Sequence, residues 1–243
     1  MSLLLPKDFE STVDVPCEGI RLAGEGDAYE DAGFAKLKEK DPRADTLLIT
    51  AACIKRRIEF LAQEVSAGSK SDTLHILPVL TGGFIFAADL CRYIFLAEGK
   101  QSVIHPVRTS AYAAQIKGKA EDAREVRLLL EPENVEGKDI VIAEDLVDQG
   151  FTLSRLKSHL IDEKGAASVK ICVLLNKQLE NPTAAVSRLR ETLTIDYVGF
   201  NIPDRWIAGY GIDLAGSFRS MPYIITVHEH LCKNEIVKNS EGV

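Results

Sequence analysis

Continuous apolar runs alternate with helical patterns along the middle of the chain. The runs predict strands at residues 74–80, 103–107, 126–130, 140–143 and 169–175. They lack the polar alternation of a half-exposed strand, and helical segments are interleaved with them. This arrangement is typical of a parallel sheet that is covered by helices on both faces. The pattern therefore predicts an α/β fold.

Apolar residues that recur at helical spacing predict the helices. The first helix is predicted over residues 47–65, with Asp45 as a candidate N-cap. An apolar helix follows over residues 84–97, after a pair of glycines turns the chain. A further helix is predicted over residues 152–164 and is closed by Gly165.

The remaining segments show less order, although one domain is expected to cover residues 1–243. Residues 1–44 resemble an irregular arm, and residues 195–243 contain short strands. These two segments are expected to pack together as a small hood lobe over a core of about residues 45–180. Residues 109–125 lose the apolar period and are rich in small and charged residues, which predicts a mobile loop.

Charge and cysteine content narrow the class of protein. The net charge is −7 and the pI is about 5.4, with no basic stripe, which argues against a nucleic-acid surface. No stretch approaches the roughly 18 apolar residues that a membrane span requires, so no membrane partner is expected. The five cysteines are odd in number and form no CxxC pair, which indicates reduced thiols in a cytoplasmic protein.

The candidate chemistry lies in the sequence IVIAEDLVDQGFTL, residues 140–153. Four apolar residues run into Glu144 and Asp145, and Asp148 follows. Ligands of open α/β sheets bind beyond the carboxyl ends of the strands, and the helix that begins after Gly150 offers free N–H groups to an anion. Carboxylates beside a phosphate cradle suit a ribose 5-phosphate. Alternatively, Asp148 only caps the helix and the acid pair is solvated.

The same segment resembles the phosphoribosyl-pyrophosphate motif of type I phosphoribosyltransferases. Further segments are similar to the 6-oxopurine branch, the hypoxanthine-guanine phosphoribosyltransferases. VLTGGFIFAADL resembles the pyrophosphate loop with its helix, and LLNK ends at Lys177, where the family has its purine-reading lysine. VGFNIPDRWIAGYGIDLAGSFR closely resembles the base-binding and metal-binding segment. The resemblance covers roughly residues 74–220 in the family's order and spacing.

The resemblance implies transfer of a phosphoribosyl group from phosphoribosyl pyrophosphate to N9 of hypoxanthine or guanine, with Mg²⁺ as cofactor. Glu144 and Asp145 would bind the ribose hydroxyls, directly or through metal-bound water. Asp148 would act as the general base at the purine N7. A four-residue loop would hold the 5-phosphate: Gln149, Gly150, Phe151 and Thr152.

The resemblance also assigns the base and metal sites. Lys177 would donate to the purine O6, and Trp206 would stack on the purine ring. The backbone at Ile207 would read the amide edge of the base, and Asp213 would bind Mg²⁺. The family implies a homodimer or a homotetramer.

Pyrophosphate would contact Thr81, Gly82 and Arg219. The family has a non-proline cis peptide in this loop, and Leu80–Thr81 is the candidate bond. The loop at residues 109–125 would be a lid that excludes water.

The sequence departs from the family pattern at two positions. Ala111 separates Ser110 from Tyr112, which are adjacent in the family, and Gln149 stands where threonine is common. Two other functions stay open: a phosphoribosyltransferase that prefers xanthine, and a non-catalytic sensor that binds the pyrophosphate donor or a nucleotide.

Overall fold

The structure is a computed structural model that describes residues 2–4, 6–22, 27–113 and 124–232. It contains two sheets, with helices packed against them. In chain order the strands are β1 (Ser2–Leu4), β2 (Val13–Asp14), β3 (Ile20–Leu22), β4 (Ala44–Ile49), β5 (Thr73–Leu80), β6 (Gln101–Ile104), β7 (Val107–Ala113), β8 (Arg124–Leu130), β9 (Asp139–Val147), β10 (Ser168–Gln178), β11 (Tyr197–Pro203), β12 (Ile207–Ala208) and β13 (Ile224–Val227). The helices are α1 (Asp27–Lys40), α2 (Ala51–Ala67), α3 (Gly83–Glu98), α4 (Phe151–Ser158) and α5 (Ala184–Thr192).

The main sheet has the strand order β2-β11-β10-β9-β5-β7-β8, and β6 also pairs with β5. All of its pairs are parallel except β7 with β8. Alternate residues of its central strands pack into two clusters: α2 and α3 cover one face, and α4 covers the other. The predicted α/β fold with a covered parallel sheet is confirmed.

The second sheet has the order β1-β3-β4-β13-β12 and forms the hood. The boundaries of the two lobes differ from those expected. Residues 44–49 form β4 of the hood sheet, although the core was expected to begin near residue 45. Residues 197–203 form β11 of the main sheet, although the hood was expected to begin near residue 195.

The predicted start of the first helix is wrong. The helix begins at Ala51, and Thr50 is its N-cap, with a side-chain oxygen that accepts from the Cys53 N–H. Asp45 lies in β4 and accepts a hydrogen bond from the Thr226 hydroxyl at 3.0 Å. The apolar run that precedes Thr50 fits either a helix or a strand, and pairing with β13 decides for the strand.

The predicted strand at residues 103–107 is two strands, β6 and β7, because Pro106 lacks an N–H and interrupts the pairing. The predicted loop at residues 109–125 is also partly wrong. Residues 107–113 and 124–130 pair as an antiparallel ladder, which includes Ser110, Ala111 and Tyr112. The predicted lid function falls mainly on residues 114–123, which lie outside the described residues.

The helix predicted over residues 152–164 consists of α4 and a π-helical turn, His159–Glu163, and Gly165 follows with a φ of +68°. Among the described residues, no helix combines the length and the apolar character that crossing a membrane requires.

A buried arginine joins the N-terminal arm to the main sheet. Arg57 on α2 is only 1% exposed. Its guanidinium donates to the carbonyl oxygens of Phe9 at 2.8 Å, Val198 at 2.9 Å and Gly199 at 3.1 Å, and pairs with Glu64 at 2.6 Å. The five donors of arginine suit this set of acceptors, because a buried carbonyl without a partner is costly.

We expect Arg57→Ala to lower the free energy of unfolding by about 3–5 kcal/mol, since it leaves several buried acceptors and Glu64 without their donor. Urea denaturation measures the change. Lys55→Ala is the matched control, because Lys55 is exposed on the same helix and its loss should cost at most about 0.5 kcal/mol. Similar losses in the two variants would contradict the structural role of Arg57.

Candidate active site

A cavity of about 300 Å³ lies at the carboxyl ends of β5 and β9. Most of the predicted donor-site residues form its wall. These residues are Gly82, Glu144, Asp145, Asp148, Gln149, Gly150, Phe151, Thr152, Asp213 and Arg219. Four predicted residues do not line it, namely Thr81, Lys177, Trp206 and Ile207.

The acid pair lies within β9, which continues to Val147, rather than beyond the end of a strand. Glu144 and Asp145 are each 8% exposed. β5 and β10 pair with β9 on its two sides, so the strand is internal to the sheet. The alternative of a solvated acid pair is therefore wrong.

Burial controls the protonation of this pair. It raises the pKa of Glu144 well above the usual range, and the charge of Asp145 raises it further. Burial also raises the pKa of Asp145, although the nearby charge of Arg219 acts in the opposite direction. Two neighbouring buried carboxylates favour sharing a proton unless a cation compensates their charge. The pair is thus suited to a ligand that brings positive charge.

The loop between β5 and α3 contains Gly82 and Gly83 and is the glycine loop of this site. It packs directly against the acid pair. The Leu80–Thr81 peptide bond is cis, as expected. A Cβ atom on Gly82 would lie 2.0 Å from Asp145 Oδ2, and one on Gly83 would lie 2.8 Å from the Ala143 carbonyl oxygen. Only glycine fits at these two positions, and the close approach brings the loop backbone beside the carboxylates.

A hood loop closes the other side of the cavity. A Cβ atom on Gly211 would lie 2.3 Å from the Gly82 carbonyl oxygen. Arg219 donates to the Gly211 carbonyl at 2.6 Å and pairs with Asp213 Oδ1 at 2.5 Å. The other Asp213 oxygen accepts from the Gly216 N–H at 2.9 Å. Asp213 and Arg219 are thus paired with each other at the cavity wall.

The turn from β9 to α4 forms the floor of the cavity. Gly150, with a φ of +91°, is the N-cap of α4, and no side chain caps this helix. The alternative in which Asp148 serves only as the helix cap is therefore wrong. The first residues of α4 line the cavity, and no side chain accepts hydrogen bonds from their N–H groups. A helix N-terminus of this kind is suited to binding an anion.

Lys177 lies next to Asp148, although it is outside the cavity wall. It is in β10, is 8% exposed, and its Nζ lies 3.9 Å from Asp148 Oδ2 and 4.0 Å from Asp204 Oδ1. Trp206 is half-buried and packs against apolar side chains of the hood, and Ile207 is buried in β12. Thr81 is exposed beside Gly82.

Sequence reasoning missed three residues that join these segments. Asp204 lies beside Lys177, and it belongs to the IPDRW motif, which could have indicated it. The Tyr210 hydroxyl donates to Asp89 Oδ2 at 2.5 Å and joins the hood to α3. Arg190 on α5 contacts the backbone of Asp148, and no motif marked it.

The carboxylates at this cavity fit an Mg²⁺ ion that binds together with substrate phosphates. Within the described residues, no three or more His, Cys, Asp or Glu side chains form a metal cluster. Mg²⁺ typically uses one or two carboxylates together with substrate phosphates and water. Asp213, Glu144 and Asp145 supply carboxylates of this kind at one cavity.

The model of the phosphoribosyl transferase domain family matches residues 45–214. The chain belongs to this family. It is 33% identical over 181 residues to hypoxanthine phosphoribosyltransferase of Escherichia coli strain K12, covering 73% of this chain and 92% of the relative. It is 31% identical over 189 residues to hypoxanthine-guanine phosphoribosyltransferase of Dictyostelium discoideum, covering 77% and 97%.

The fold is similar to a crystal structure of a hypoxanthine-guanine phosphoribosyltransferase from Bacillus anthracis. The TM-score is 0.63 at 32% identity, and the match covers 76% of this chain and 98% of the other. The predicted resemblance to phosphoribosyltransferases of the hypoxanthine-guanine kind is confirmed.

We expect Glu144→Gln to stabilise the ligand-free phosphoribosyltransferase, and to do so more at pH 8 than at pH 5. Because the folded-state pKa of Glu144 is raised, folding favours its protonated form, and this stability is lost as pH rises above the unfolded-state pKa. Glutamine mimics the protonated acid at every pH. A gain of about 1 kcal/mol would raise the melting temperature at pH 8 by about 2–4 °C.

Thermal unfolding in a chelating buffer at the two pH values measures this difference. Glu180→Gln, at an exposed glutamate, is the control and should change little at either pH. A Glu144→Gln protein that is less stable than the parent at pH 8 would contradict the expectation.

Proposed function

We propose that this protein transfers a phosphoribosyl group from phosphoribosyl pyrophosphate to N9 of hypoxanthine or guanine, and releases pyrophosphate. The observation that carries the proposal is the single cavity that joins a buried acid pair, a glycine loop and an uncapped helix N-terminus. These parts suit the hydroxyls, the pyrophosphate and the 5-phosphate of the donor, respectively. The products are a purine nucleoside monophosphate and pyrophosphate, as in purine salvage.

In this proposal the acid pair binds the ribose. Glu144 and Asp145 accept hydrogen bonds from the hydroxyls, directly or through metal-bound water. As the bond to pyrophosphate breaks, positive charge develops on the ribose ring, and two carboxylates in a site of low polarity stabilise that charge. The 5-phosphate binds the start of α4 through a four-residue loop: Gln149, Gly150, Phe151 and Thr152.

Pyrophosphate binds between the glycine loop and the hood. The backbone at Thr81 and Gly82 faces one side of it, and Arg219 supplies a cation on the other side. Asp213 would bind Mg²⁺ directly, and the bound ion would neutralise charge on the leaving pyrophosphate. Arg219, paired with Asp213 at 2.5 Å, lies beside this metal site.

The purine lies beside Lys177 and Asp148. O6 and N7 are neighbours on one edge of a 6-oxopurine, so a donor and an acceptor 3.9 Å apart are spaced to contact both. Lys177 donates to O6, and Asp148 accepts the proton from N7 as N9 attacks C1 of the ribose. Trp206 stacks on the ring, and the backbone of Ile207 reads the amide edge.

We also infer a homodimer or homotetramer and a cytoplasmic location. Apolar side chains near the end of α3 and in β6 are exposed, including Phe95 at 53%, Leu96 at 74% and Ile104 at 53%. Exposed large apolar side chains that lie close together can mark an interface between proteins. The five cysteines lie within the described residues and form no disulfide, which is usual in the reducing cytoplasm.

The proposal predicts turnover with hypoxanthine or guanine and about 10⁴-fold less with adenine. Adenine presents an amino donor to the Lys177 donor, which leaves polar groups unpaired. The assay measures nucleoside monophosphate formed from each base, including xanthine, with donor and Mg²⁺. Lys177→Ala should reduce turnover of 6-oxopurines without raising turnover of adenine. Lys138→Ala is the control and should leave turnover of both bases unchanged, because Lys138 lies at the opposite end of the sheet.

Adenine turnover equal to that of hypoxanthine would reject the base assignment. A preference for xanthine would keep the chemistry and change the substrate. Donor binding without turnover of any base would instead support the non-catalytic sensor.

We expect Asp148→Asn to lower turnover by about 10²-fold or more, which is the usual effect of losing a general base. The affinity for the donor should be preserved, because the acid pair and the phosphate loop are intact. Steady-state kinetics and donor titration measure the two effects. Asp162→Asn, at an exposed aspartate, is the control, and unchanged turnover in Asp148→Asn would remove Asp148 from this role.

A further inference from the structure

The Arg190 guanidinium, in the last turn of α5, connects the backbones of two residues of the proposed base site. Its Nη1 donates to the Asp148 carbonyl oxygen at 3.2 Å. Its Nη2 donates to the Lys177 carbonyl oxygen at 3.3 Å and also to the Asn176 side-chain oxygen. One planar group thus spans the end of β10 and the beginning of the phosphate loop.

A series of side-chain amides orients this guanidinium. Asn176 Nδ2 donates to Asn201 Oδ1 at 2.8 Å, which leaves the Asn176 oxygen directed to Arg190. Asn201 Nδ2 in turn donates to Asp14 Oδ1 at 2.8 Å. The series runs from β2 through β11 to β10, so three adjacent strands determine the position of Arg190.

The end of α5 also packs against the phosphate loop. A Cβ atom on Gly150 would lie 3.4 Å from Arg190 Cδ and 3.1 Å from Leu193 Cδ2. The aliphatic part of the Arg190 side chain therefore contacts the loop at Gly150, while its guanidinium donates to the Asp148 carbonyl oxygen. Lysine cannot reproduce this, because an ammonium is a compact point charge and the guanidinium is a rigid fork.

We propose that Arg190 is a positioning residue that sets the distance between Asp148 and Lys177, and so determines how the purine is held. The inference rests on the proposed function, because it takes Asp148 and Lys177 as the groups that contact the purine. Arg190 itself donates to the backbone carbonyl oxygens of Asp148 and Lys177, so it acts through these two residues.

Loss of Arg190 should affect the base more than the donor. The donor has several independent anchors in the acid pair, the glycine loop and the start of α4. The purine edge at O6 and N7 depends on Lys177 and Asp148 alone, and a displacement of about 1 Å at such a contact can cost about 10²-fold in rate.

The test compares Arg190→Ala with Arg188→Ala, an exposed arginine of the same helix. In Arg190→Ala we expect kcat/KM for hypoxanthine to fall by about 10- to 100-fold, the range for lost hydrogen bonds to a charged group. The KM for the donor should change by less than about threefold, since the acid pair and the glycine loop still hold it when residues 149–152 loosen. Arg190→Lys should recover part of the loss, and Arg188→Ala should match the parent.

Asn176→Ala tests the series of amides. It should reduce kcat/KM for hypoxanthine in the same direction as Arg190→Ala but by less. The double variant should lose no more than Arg190→Ala alone, because the two side chains act as one unit. If Arg190→Ala fails to fold, Arg190→Lys and Asn176→Ala decide the question.

Amide hydrogen exchange of the ligand-free protein gives a readout that does not need turnover. Arg190→Ala should speed exchange at residues 149–152, and Arg188→Ala should not. Unchanged exchange, an unchanged kcat/KM for hypoxanthine, or equal losses for base and donor would each overturn the positioning role. Absence of phosphoribosyl transfer by the parent protein would instead reject the proposed function, and the exchange result would still report on Arg190.

Discussion

The close approach of Gly82 to Asp145 is the contact on which the rest of the site depends. A Cβ atom on Gly82 would lie 2.0 Å from the Asp145 carboxylate, so the glycine loop and β9 fit together only without a side chain between them. The hood loop then rests on the same segment, because a Cβ on Gly211 would lie 2.3 Å from the Gly82 carbonyl oxygen. Two chain segments from different sheets thus meet at one glycine. The acid pair lies at the cavity wall beside these contacts, and each acid is only 8% exposed.

Burial of the acid pair lowers the stability of the folded protein but creates the environment that the proposed reaction uses. Burial raises the pKa values of Glu144 and Asp145, which means that the folded protein disfavours the charged form that the proposed reaction uses. The surrounding structure must offset that cost, and Arg57 shows one way in which it does so. Its guanidinium donates to the carbonyl oxygens of Phe9, Val198 and Gly199, joins α2 to β11, and does not line the cavity. Stabilising interactions of this kind in the N-terminal arm and the main sheet can offset the free-energy cost of the buried acid pair.

Local patterns predicted the parts of the fold that local interactions determine. The apolar run at residues 140–143 predicted a buried strand, which the structure contains as part of β9, and the acid motif after it lines the cavity. Residues 47–49 fit a helix or a strand equally well, and only pairing with β13 decides between them. Arg190 gave no signal for a different reason: its acceptors are backbone carbonyls, and the Asp148 acceptor lies 42 positions away along the chain. Backbone acceptors leave no trace in residue identity.

The proposed base site shows how a parallel sheet brings residues that are distant in sequence to one edge. Lys177 lies near the end of β10, and Asp148 follows the end of the neighbouring β9, so the register of the two strands brings their side chains within 3.9 Å. Strand register alone cannot hold Asp148, because it stands in a loop beyond the last paired residue, Val147. The loop needs an external anchor, and α5 supplies one by returning from β10 toward the same edge before β11 begins. The helix α5 therefore does more than link β10 to β11. It places the Arg190 guanidinium beside Asp148, where the paired backbone of β9 ends.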